Sequence, residues 1–185
     1  MRPFWFLVDC FDKEEAKFIR EFKLKEERAK TFNKRKFFKS FIRKSTVGWF
    51  NQGENEDIDK LMNKAVDILF QVAYHEYHTY VNSVEPIQRT RYKNFGHYKS
   101  HFDVGAQGPH RLMSATVELT NPDDYIGGGI KFKDLKDQPK LKEGSMLVFP
   151  SMLKHKACPV YKGTRQSLVL WASNIPSEKE KENGT

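Results

Sequence analysis

The sequence predicts an α+β fold that is mainly β, a double-sheet roll or barrel backed by helices from the N-terminal half. Two patterns predict it. Apolar residues recur with helical spacing only before Val81, whereas after Val81 they occur in short strand-like runs separated by turn residues. The chain has 185 residues, 38% of them hydrophobic, which is enough to bury one core. Many short strands with frequent turns are typical of rolls and barrels.

The N-terminal elements are a strand and a short helix. The run 4–9 is apolar and predicts a first strand. Asp12 followed by Glu15 is a capping-box pattern, so a helix should begin there and run to about Phe22. Further strand-like pieces follow at 36–42 and 45–50. The inward face of the helix is expected to comprise Ala16, Ile19 and Phe22, with Phe18 as a further candidate.

A long amphipathic helix is the clearest element and begins near Asp57. Its apolar residues keep the i, i+3, i+4, i+7 spacing of a helix that buries one face. The predicted buried stripe comprises Ile58, Leu61, Met62, Ala65, Leu69, Val72, Ala73 and Tyr80. After this helix, turn chemistry separates short strands, among them a tight turn at Lys162-Gly163. The predicted strands span residues 87–92, 98–103, 114–119, 129–132, 145–149, 155–160 and 166–172.

Charge and cysteine content limit the class of protein. The net charge is +8, and residues 12–44 contribute most of it, with 13 Lys or Arg against 6 Asp or Glu. That segment is interpreted either as a solvated face or as a surface that attracts nucleic acid or an acidic protein. Two distant cysteines, Cys10 and Cys158, do not make a disulfide framework, which favours a cytoplasmic location. No segment has the apolar length needed to span a bilayer, so we expect no membrane association.

A candidate metal site begins with His101-Phe102-Asp103. On a strand, residues i and i+2 point to one face, so His101 and Asp103 can reach the same ion while Phe102 points into packing on the other side. A His-x-Asp pair alone is a weak signal, and His155, which opens another predicted strand, is the candidate third ligand. Two histidines and a carboxylate form the facial triad of non-heme iron oxygenases, which leaves coordination positions open for an oxoacid and dioxygen.

A candidate oxoacid site follows ten positions later at Arg165. A hairpin through Lys162-Gly163 would return Arg165 to the neighbourhood of His155, with Ser167, Val169 and Trp171 on the same strand face. A guanidinium that meets a carboxylate bidentately, helped by the Ser167 hydroxyl, suits the distal carboxylate of 2-oxoglutarate. Trp171 is interpreted either as core or as a wall of this pocket. A polar face on the strand 114–119 is also expected to look toward the cofactor; it carries Ser114, Thr116 and Glu118.

Four ordered motifs resemble the prolyl 4-hydroxylase and PKHD-type hydroxylase family of iron(II)- and 2-oxoglutarate-dependent dioxygenases. The longest spans 144–171 and includes a Phe-Pro-Ser run, His155, a Pro-Val pair and Arg165. The others are YKNFGHYKSHFD at 92–103, DYIGGG at 124–129 and STVGW at 45–49. Gly129 departs from the family, since relatives often have Glu after the Gly pair. The resemblance covers roughly residues 45–172.

The resemblance implies a double-stranded β-helix, a cupin-like jelly roll, that uses iron(II), 2-oxoglutarate and ascorbate. Carried over by position, His101, Asp103 and His155 bind iron, Arg165 binds the distal carboxylate, and Tyr92 lines the oxoacid pocket. A chain of this length is expected to form one domain, here a dioxygenase domain at 1–176 with N-terminal support at 1–85 and the catalytic core at 86–176. Residues 177–185 are expected to form a frayed tail.

Three functions remain open at this point. The first is a hydroxylase acting on a prolyl residue of a protein or peptide. The second is an oxygenase acting on nucleic acid or a small molecule; alkylated-base demethylases carry a further Arg soon after the oxoacid-binding one, and 166–175 contains none. The third is a binding module without activity, which an intact set of His101, Asp103, His155 and Arg165 disfavours. The oligomeric state does not follow from the sequence.

Overall fold

A computed structural model describes residues 4–29, 41–105 and 110–175. These residues form two antiparallel sheets and two α-helices that pack against the larger sheet. The helices are α1 (Lys13–Glu21) and α2 (Glu56–Tyr77). The strands are β1 (Phe6–Asp9), β2 (Glu27–Arg28), β3 (Arg43–Lys44), β4 (Thr46–Trp49), β5 (Ser83–Val84), β6 (Gln88–Lys93), β7 (Gly96–His101), β8 (Arg111–Glu118), β9 (Ile126–Gly127), β10 (Ile130–Phe132), β11 (Ser145–Pro150), β12 (His155–Lys162) and β13 (Thr164–Ser173). The predicted strand at 36–42 lies outside the described residues except for its last two residues, which are helical, so the prediction is wrong there; the tail at 177–185 lies wholly outside the described residues.

The larger sheet has the order β1-β11-β8-β13-β6-β4-β2, with β5 paired to β13. The smaller sheet has the order β10-β12-β7-β3, with β9 paired to β12. Strands from the N-terminal half join both sheets, since β1 and β4 pair in the larger and β3 in the smaller. The proposed division of the chain at residues 85 and 86 stays a prediction.

The main core lies between the helices and the larger sheet. Its helical side is contributed by α1 through Ala16 and Ile19 and by α2 through its apolar stripe, and its sheet side by β8, β11 and β13. The other face of the larger sheet looks toward the smaller sheet, and the cavity described below lies between them. Among the described residues, no helix is long and apolar enough to cross a membrane.

Both predicted helix starts are confirmed by their caps. The Asp12 side chain accepts from Glu15 N–H at 2.8 Å and the Glu15 carboxylate accepts from Asp12 N–H at 3.0 Å, which is the capping box. Asn55 caps α2 by accepting from Ile58 N–H at 2.9 Å. The helix ends at His78, which takes a left-handed conformation with φ of 50°.

Three expected placements are wrong. Tyr80 lies beyond the end of α2 and is 64% exposed, because the left-handed turn at His78 takes the chain away from the stripe; Tyr77 is buried instead. Phe18 is 43% exposed, on the outer side of α1. Lys162-Gly163 does not join a hairpin: β12 pairs within the smaller sheet and β13 within the larger, so the turn carries the chain from one sheet to the other.

Candidate metal centre and oxoacid pocket

Three side chains converge in the cavity between the sheets. His101, Asp103 and His155 each offer one ligand atom, and these atoms lie within 4.8 Å of one another. The Nε2 atoms of His101 and His155 are 3.4 and 3.6 Å from the two carboxylate oxygens of Asp103. The structure therefore brings together all three residues that the sequence predicted as ligands.

The two histidines are direct cross-strand neighbours. His101 ends β7 and His155 begins β12, and the register pairs them opposite each other. Their rings are 4.4 Å apart between centroids. Tyr98 stacks on His101 at 3.6 Å, and Phe149 meets the His155 ring edge to face at 4.8 Å. These aromatic contacts hold both imidazoles in place from the sides.

Asp103 reaches the site from beyond the end of β7 rather than from within a strand. The strand stops at His101, and the Asp103 N–H donates to the Ser151 carbonyl at 3.1 Å. This hydrogen bond ties the loop after β7 to the segment that leads into β12. Phe102 does not point into packing as predicted: it is 52% exposed, with the Lys154 ammonium 5.4 Å from its ring centroid, because the strand geometry assumed for it has already ended.

The backbone hydrogen bonds of the two histidines orient the Nε2 lone pairs toward the centre of the three-residue cluster. Nδ1 of His101 donates to the Lys99 carbonyl at 2.8 Å, and Nδ1 of His155 donates to the Leu153 carbonyl at 2.9 Å. A carbonyl can only accept, so both protons sit on Nδ1 and the Nε2 lone pairs face Asp103. Two lone pairs and a carboxylate in close contact repel one another unless a cation lies between them. The donor set, two imidazoles and one carboxylate, fits iron(II).

The charge states support the same interpretation. Burial lowers the pKa of His155, so its imidazole is neutral near pH 7 and able to ligate. Burial would raise the pKa of Asp103, but positive charge beside the carboxylate, which protonated His101 and His155 supply when no cation is bound, outweighs burial and holds that pKa below its usual range. Asp103 is thus an ionised carboxylate, although its side chain is only 8% exposed.

The predicted oxoacid residues line the same cavity. Arg165, Ser167 and Trp171 face it from β13, as does Tyr92 from the adjacent β6. The Arg165 side chain is 1% exposed and its Nη2 atom has no hydrogen-bond partner among the described residues. A buried guanidinium nitrogen without an acceptor, in the same cavity as a metal triad, fits a ligand carboxylate. Trp171 is a cavity wall, with the Arg111 guanidinium 4.0 Å from its ring centroid.

The sequence did not reveal the direct partner of Arg165. Glu118 is fully buried and accepts from Arg165 Nε at 2.8 Å. The alternation of Ser114, Thr116 and Glu118 predicted an inward polar face, and all three are buried; Thr116 lines the cavity. Alternation identifies a face but not a partner 47 residues away. Tyr98 and Arg111, which contact His101 and Trp171, carried no sequence signal that separates them from ordinary strand residues.

Comparison with known proteins identifies the relatives of this arrangement. A family model described as the 2OG-Fe(II) oxygenase superfamily matches residues 87–173. The chain is 31% identical over 153 residues to a PKHD-type hydroxylase of Gloeothece citriformis, covering 74% of this chain and 70% of that protein. A PKHD-type hydroxylase of Parvibaculum lavamentivorans is 32% identical over 104 residues, and there the chain spans about half the length of its relative, 46%.

Solved structures share the fold. A viral collagen prolyl hydroxylase from Paramecium Bursaria Chlorella virus-1, in its 2OG complex, superposes with a TM-score of 0.67 at 22% identity, covering 94% of this chain and 97% of that one. A Trichoplax adhaerens prolyl hydroxylase, in complex with a hypoxia inducible factor peptide fragment, gives 0.68 at 15% identity, covering 98% and 87%. The predicted double-stranded β-helix, a mainly β jelly roll with supporting helices, is thereby confirmed.

Proposed function

The chain belongs to the 2OG-Fe(II) oxygenase superfamily, and from this premise we propose that it hydroxylates a prolyl residue in a protein or peptide. As a member it is an oxidoreductase whose expected cofactors are iron(II) and 2-oxoglutarate. The observation that carries the proposal is that three ligand atoms and a buried, partly unpaired Arg165 share one cavity. The choice of a prolyl residue is supported by relatives named as prolyl hydroxylases, one of them bound to a peptide.

In this proposal His101, Asp103 and His155 hold the metal from one side. Their Nδ1 hydrogen bonds to backbone carbonyls fix the two imidazoles with Nε2 toward the ion. Asp103 supplies the negative charge that offsets part of the charge of a divalent cation. When bound, iron(II) and 2-oxoglutarate supply dioxygen activation, with conversion of the oxoacid to succinate and carbon dioxide and transfer of one oxygen atom to a C–H bond.

Arg165 is proposed to hold the distal carboxylate of 2-oxoglutarate, with Ser167 and Tyr92 beside it. Ser167 is 1% exposed and lies two residues from Arg165 on the same face of β13. Tyr92 pairs directly with Arg165 across β6 and β13, and the guanidinium lies 5.8 Å from its ring centroid. A permanent cation with fixed geometry orients the oxoacid, so its other end points toward the triad.

Much of the remaining cavity wall is apolar, which limits the entry of water. Ile130, Phe149, Val169 and Trp171 line the same cavity as Arg165 and the triad. A dry cavity strengthens each electrostatic contact inside it and protects the reacting C–H bond and its oxidant from side reactions. The substrate prolyl ring would enter from the open side of the triad, next to the exposed Phe102.

The test is to incubate the iron(II)-loaded protein with 2-oxoglutarate, ascorbate and proline-containing peptides. We expect stoichiometric succinate and a peptide mass gain of one oxygen. The His155→Ala variant should lose both products. The His75→Ala variant, a change at an exposed residue of α2, is the matched control and should retain them.

Three other results would redirect the proposal. Succinate without modified peptide points to a different substrate. A parallel assay with single-stranded DNA that carries alkylated bases tests whether nucleic acid is that substrate. Modification of a small molecule while neither peptide nor nucleic acid is modified would favour a small-molecule substrate. Turnover that persists in the His155→Ala variant would remove that residue from the site. A cytoplasmic location stays a proposal drawn from the cysteine content.

A further inference from the structure

Arg165 is held in place by one buried carboxylate. The side chains of Arg165 and Glu118 are 1% and 0% exposed, and their Nε and Oε2 atoms are 2.8 Å apart. The two residues lie on adjacent strands, since Glu118 pairs with Ser167 in the register of β8 and β13. Arg165 therefore sits diagonally across from Glu118, at a separation that long side chains reach.

The two members of this pair face different surroundings. Arg165 lines the cavity that holds the triad, whereas Glu118 does not line it. Glu118 thus contacts the guanidinium from the side away from the cavity. By binding Nε, it fixes the plane of the guanidinium while Nη2 is left for a ligand. A planar guanidinium that is held through Nε has a fixed orientation, which favours binding of a carboxylate at its Nη2 atom.

Two atoms of the pair have no hydrogen-bond partner among the described residues. They are Nη2 of Arg165 and Oε1 of Glu118. Buried polar atoms are nearly always paired, so each of these atoms is expected to gain a partner in the working enzyme. Nη2 is a donor and needs an acceptor. Oε1 is a carboxylate oxygen and can bind a proton.

A bound oxoacid changes the balance of charge at this end of the cavity. Without it, one permanent cation faces one carboxylate. A distal carboxylate bonded to Nη2 would place a second negative charge against the same cation, in surroundings that exclude water. When two carboxylates share one site, the pKa of one of them is raised, and in surroundings without water that group can take up a proton.

Glu118 is the carboxylate placed to take that proton. Besides Arg165, it is faced by the Tyr125 hydroxyl and the Thr120 backbone. Complete burial raises the pKa of Glu118 even though Arg165, the Thr120 backbone and the Tyr125 hydroxyl all oppose the shift, and burial also raises the pKa of Tyr125, to about 12, so the phenol stays neutral. The ligand carboxylate, by contrast, would keep the direct contact with Nη2.

We propose that Glu118 is a positioning residue of the oxoacid pocket, which orients Arg165 through Nε and binds a solvent proton at Oε1 when the distal carboxylate of 2-oxoglutarate binds. This inference rests on the proposed role of Arg165. It makes oxoacid binding dependent on pH through a residue that contacts neither the metal nor the substrate.

The test is calorimetry of 2-oxoglutarate binding to the anaerobic iron(II)-loaded protein, in two buffers of different ionisation enthalpy. We expect the wild type to take up close to one proton more than Glu118→Gln. Its dissociation constant should rise with pH, by up to about tenfold per unit where uptake is complete. Glu118→Gln keeps an acceptor for Nε but no charge, so its constant should be lower and nearly independent of pH. The exposed Asp123 gives the control Asp123→Asn, which should match the wild type.

A second variant tests the positioning role. Glu118→Leu removes both acceptor and charge, so Arg165 can turn, and we expect 2-oxoglutarate to bind at least tenfold more weakly than to Glu118→Gln, with unchanged iron affinity. Equal affinities in the two variants would overturn the positioning role. Equal proton uptake by the wild type and Glu118→Gln would overturn the protonation. If the wild type binds no 2-oxoglutarate, the proposed function itself fails, which is a distinct result.

Discussion

At the scale of single residues, the buried pair changes what an Arg165 substitution measures. Arg165→Gln removes the countercharge of Glu118 and leaves a carboxylate buried without a partner. We expect the free energy of unfolding to fall by about 3–5 kcal/mol, the usual cost of breaking one side of a buried pair. Urea denaturation checks this. The double variant with Glu118→Gln should recover most of the loss, because no charge then stays buried; no recovery would contradict the pairing.

The same double variant isolates the oxoacid contact. Compared with Glu118→Gln alone, it should raise the apparent Michaelis constant for 2-oxoglutarate by one to two orders of magnitude, equivalent to about 1.4–3 kcal/mol for a charge-assisted contact. Iron affinity, measured separately, should hardly change, since Arg165 is not one of the three residues placed to hold the metal. Unchanged dependence on 2-oxoglutarate would place its anchor elsewhere.

The cysteines give a residue-scale prediction that is independent of the site. Cys10 is 3% exposed, and burial raises the pKa of its thiol to about 12, whereas Cys158 is half-buried. The thiolate is the reactive form, so at pH 8 Cys10 should be almost inert. We expect iodoacetamide to label Cys158 first in the folded protein and both residues in urea, as read by peptide mass. Fast labelling of folded Cys10 would mean that the packing around α1 opens readily.

The site residues could be predicted from the sequence largely because family motifs contain them. Arg165 and Ser167 share a strand face, as alternation predicted, whereas Asp103 lies beyond the end of β7 and His155 is distant in the chain, so alternation alone was not enough for the metal ligands. The partnership of Glu118 with Arg165 depends on which strands are neighbours, and the exposure of Phe102 depends on where β7 ends. Neither is encoded in alternation.

At the scale of elements, Gly163 allows the tight turn that takes the chain from β12 in the smaller sheet to β13 in the larger one. Gly163 has φ of 76°, and a Cβ there would lie 2.3 Å from the Asp124 carbonyl oxygen and 3.0 Å from Tyr125 Cα. Gly163→Ala should lower the free energy of unfolding by about 1–2 kcal/mol for the left-handed backbone and by about 1–3 kcal/mol more for overpacking. Gly53 has φ of 87° with open space around it, so Gly53→Ala is the matched control that carries only the first cost. Equal losses in urea denaturation would contradict the close approach.

The kind of each element could be predicted, but not all of the pairing. Every strand predicted between residues 87 and 172 is present with ends shifted by a few residues, because turn residues and alternation are local signals. The assumed hairpin of β12 and β13 was wrong because a tight turn is compatible with either a hairpin or a crossing between sheets. The four two-residue strands were too short for any periodicity to show.

At the scale of the whole molecule, the helices and the site occupy opposite faces of the larger sheet. The helices cover its outer face with apolar contacts, which frees the inner face to carry Thr116, Arg165 and Ser167. The roll could be predicted because many short strands follow a helical N-terminal half of the chain, whereas the assignment of strands to sheets required the structure. Lys34, Arg35, Lys36 and Lys39 lie outside the described residues, so both interpretations of the basic segment remain predictions.

This arrangement predicts how ligands stabilise the molecule. A metal held by His101, Asp103 and His155 would join β12 to the loop after β7, and an oxoacid reaching from the metal to Arg165 would join the smaller sheet to the larger. A ligand that binds only the folded state stabilises it by about 2.7 kcal/mol at one hundred times its dissociation constant. For a chain of this size, that corresponds to a rise in Tm of roughly 5–10 °C.

We therefore expect the anaerobic addition of iron(II), followed by 2-oxoglutarate, to raise Tm in two successive steps, each measurable by calorimetry. His155→Ala should lose both steps, because in the proposed site 2-oxoglutarate binds to the metal and therefore needs the metal to be present. The double variant of Arg165→Gln with Glu118→Gln should keep the first step and lose most of the second. His75→Ala, at an exposed site on α2, should keep both. An oxoacid step that survives in His155→Ala would mean that 2-oxoglutarate binds without the metal, and the bridge between the sheets would then run through Arg165 alone.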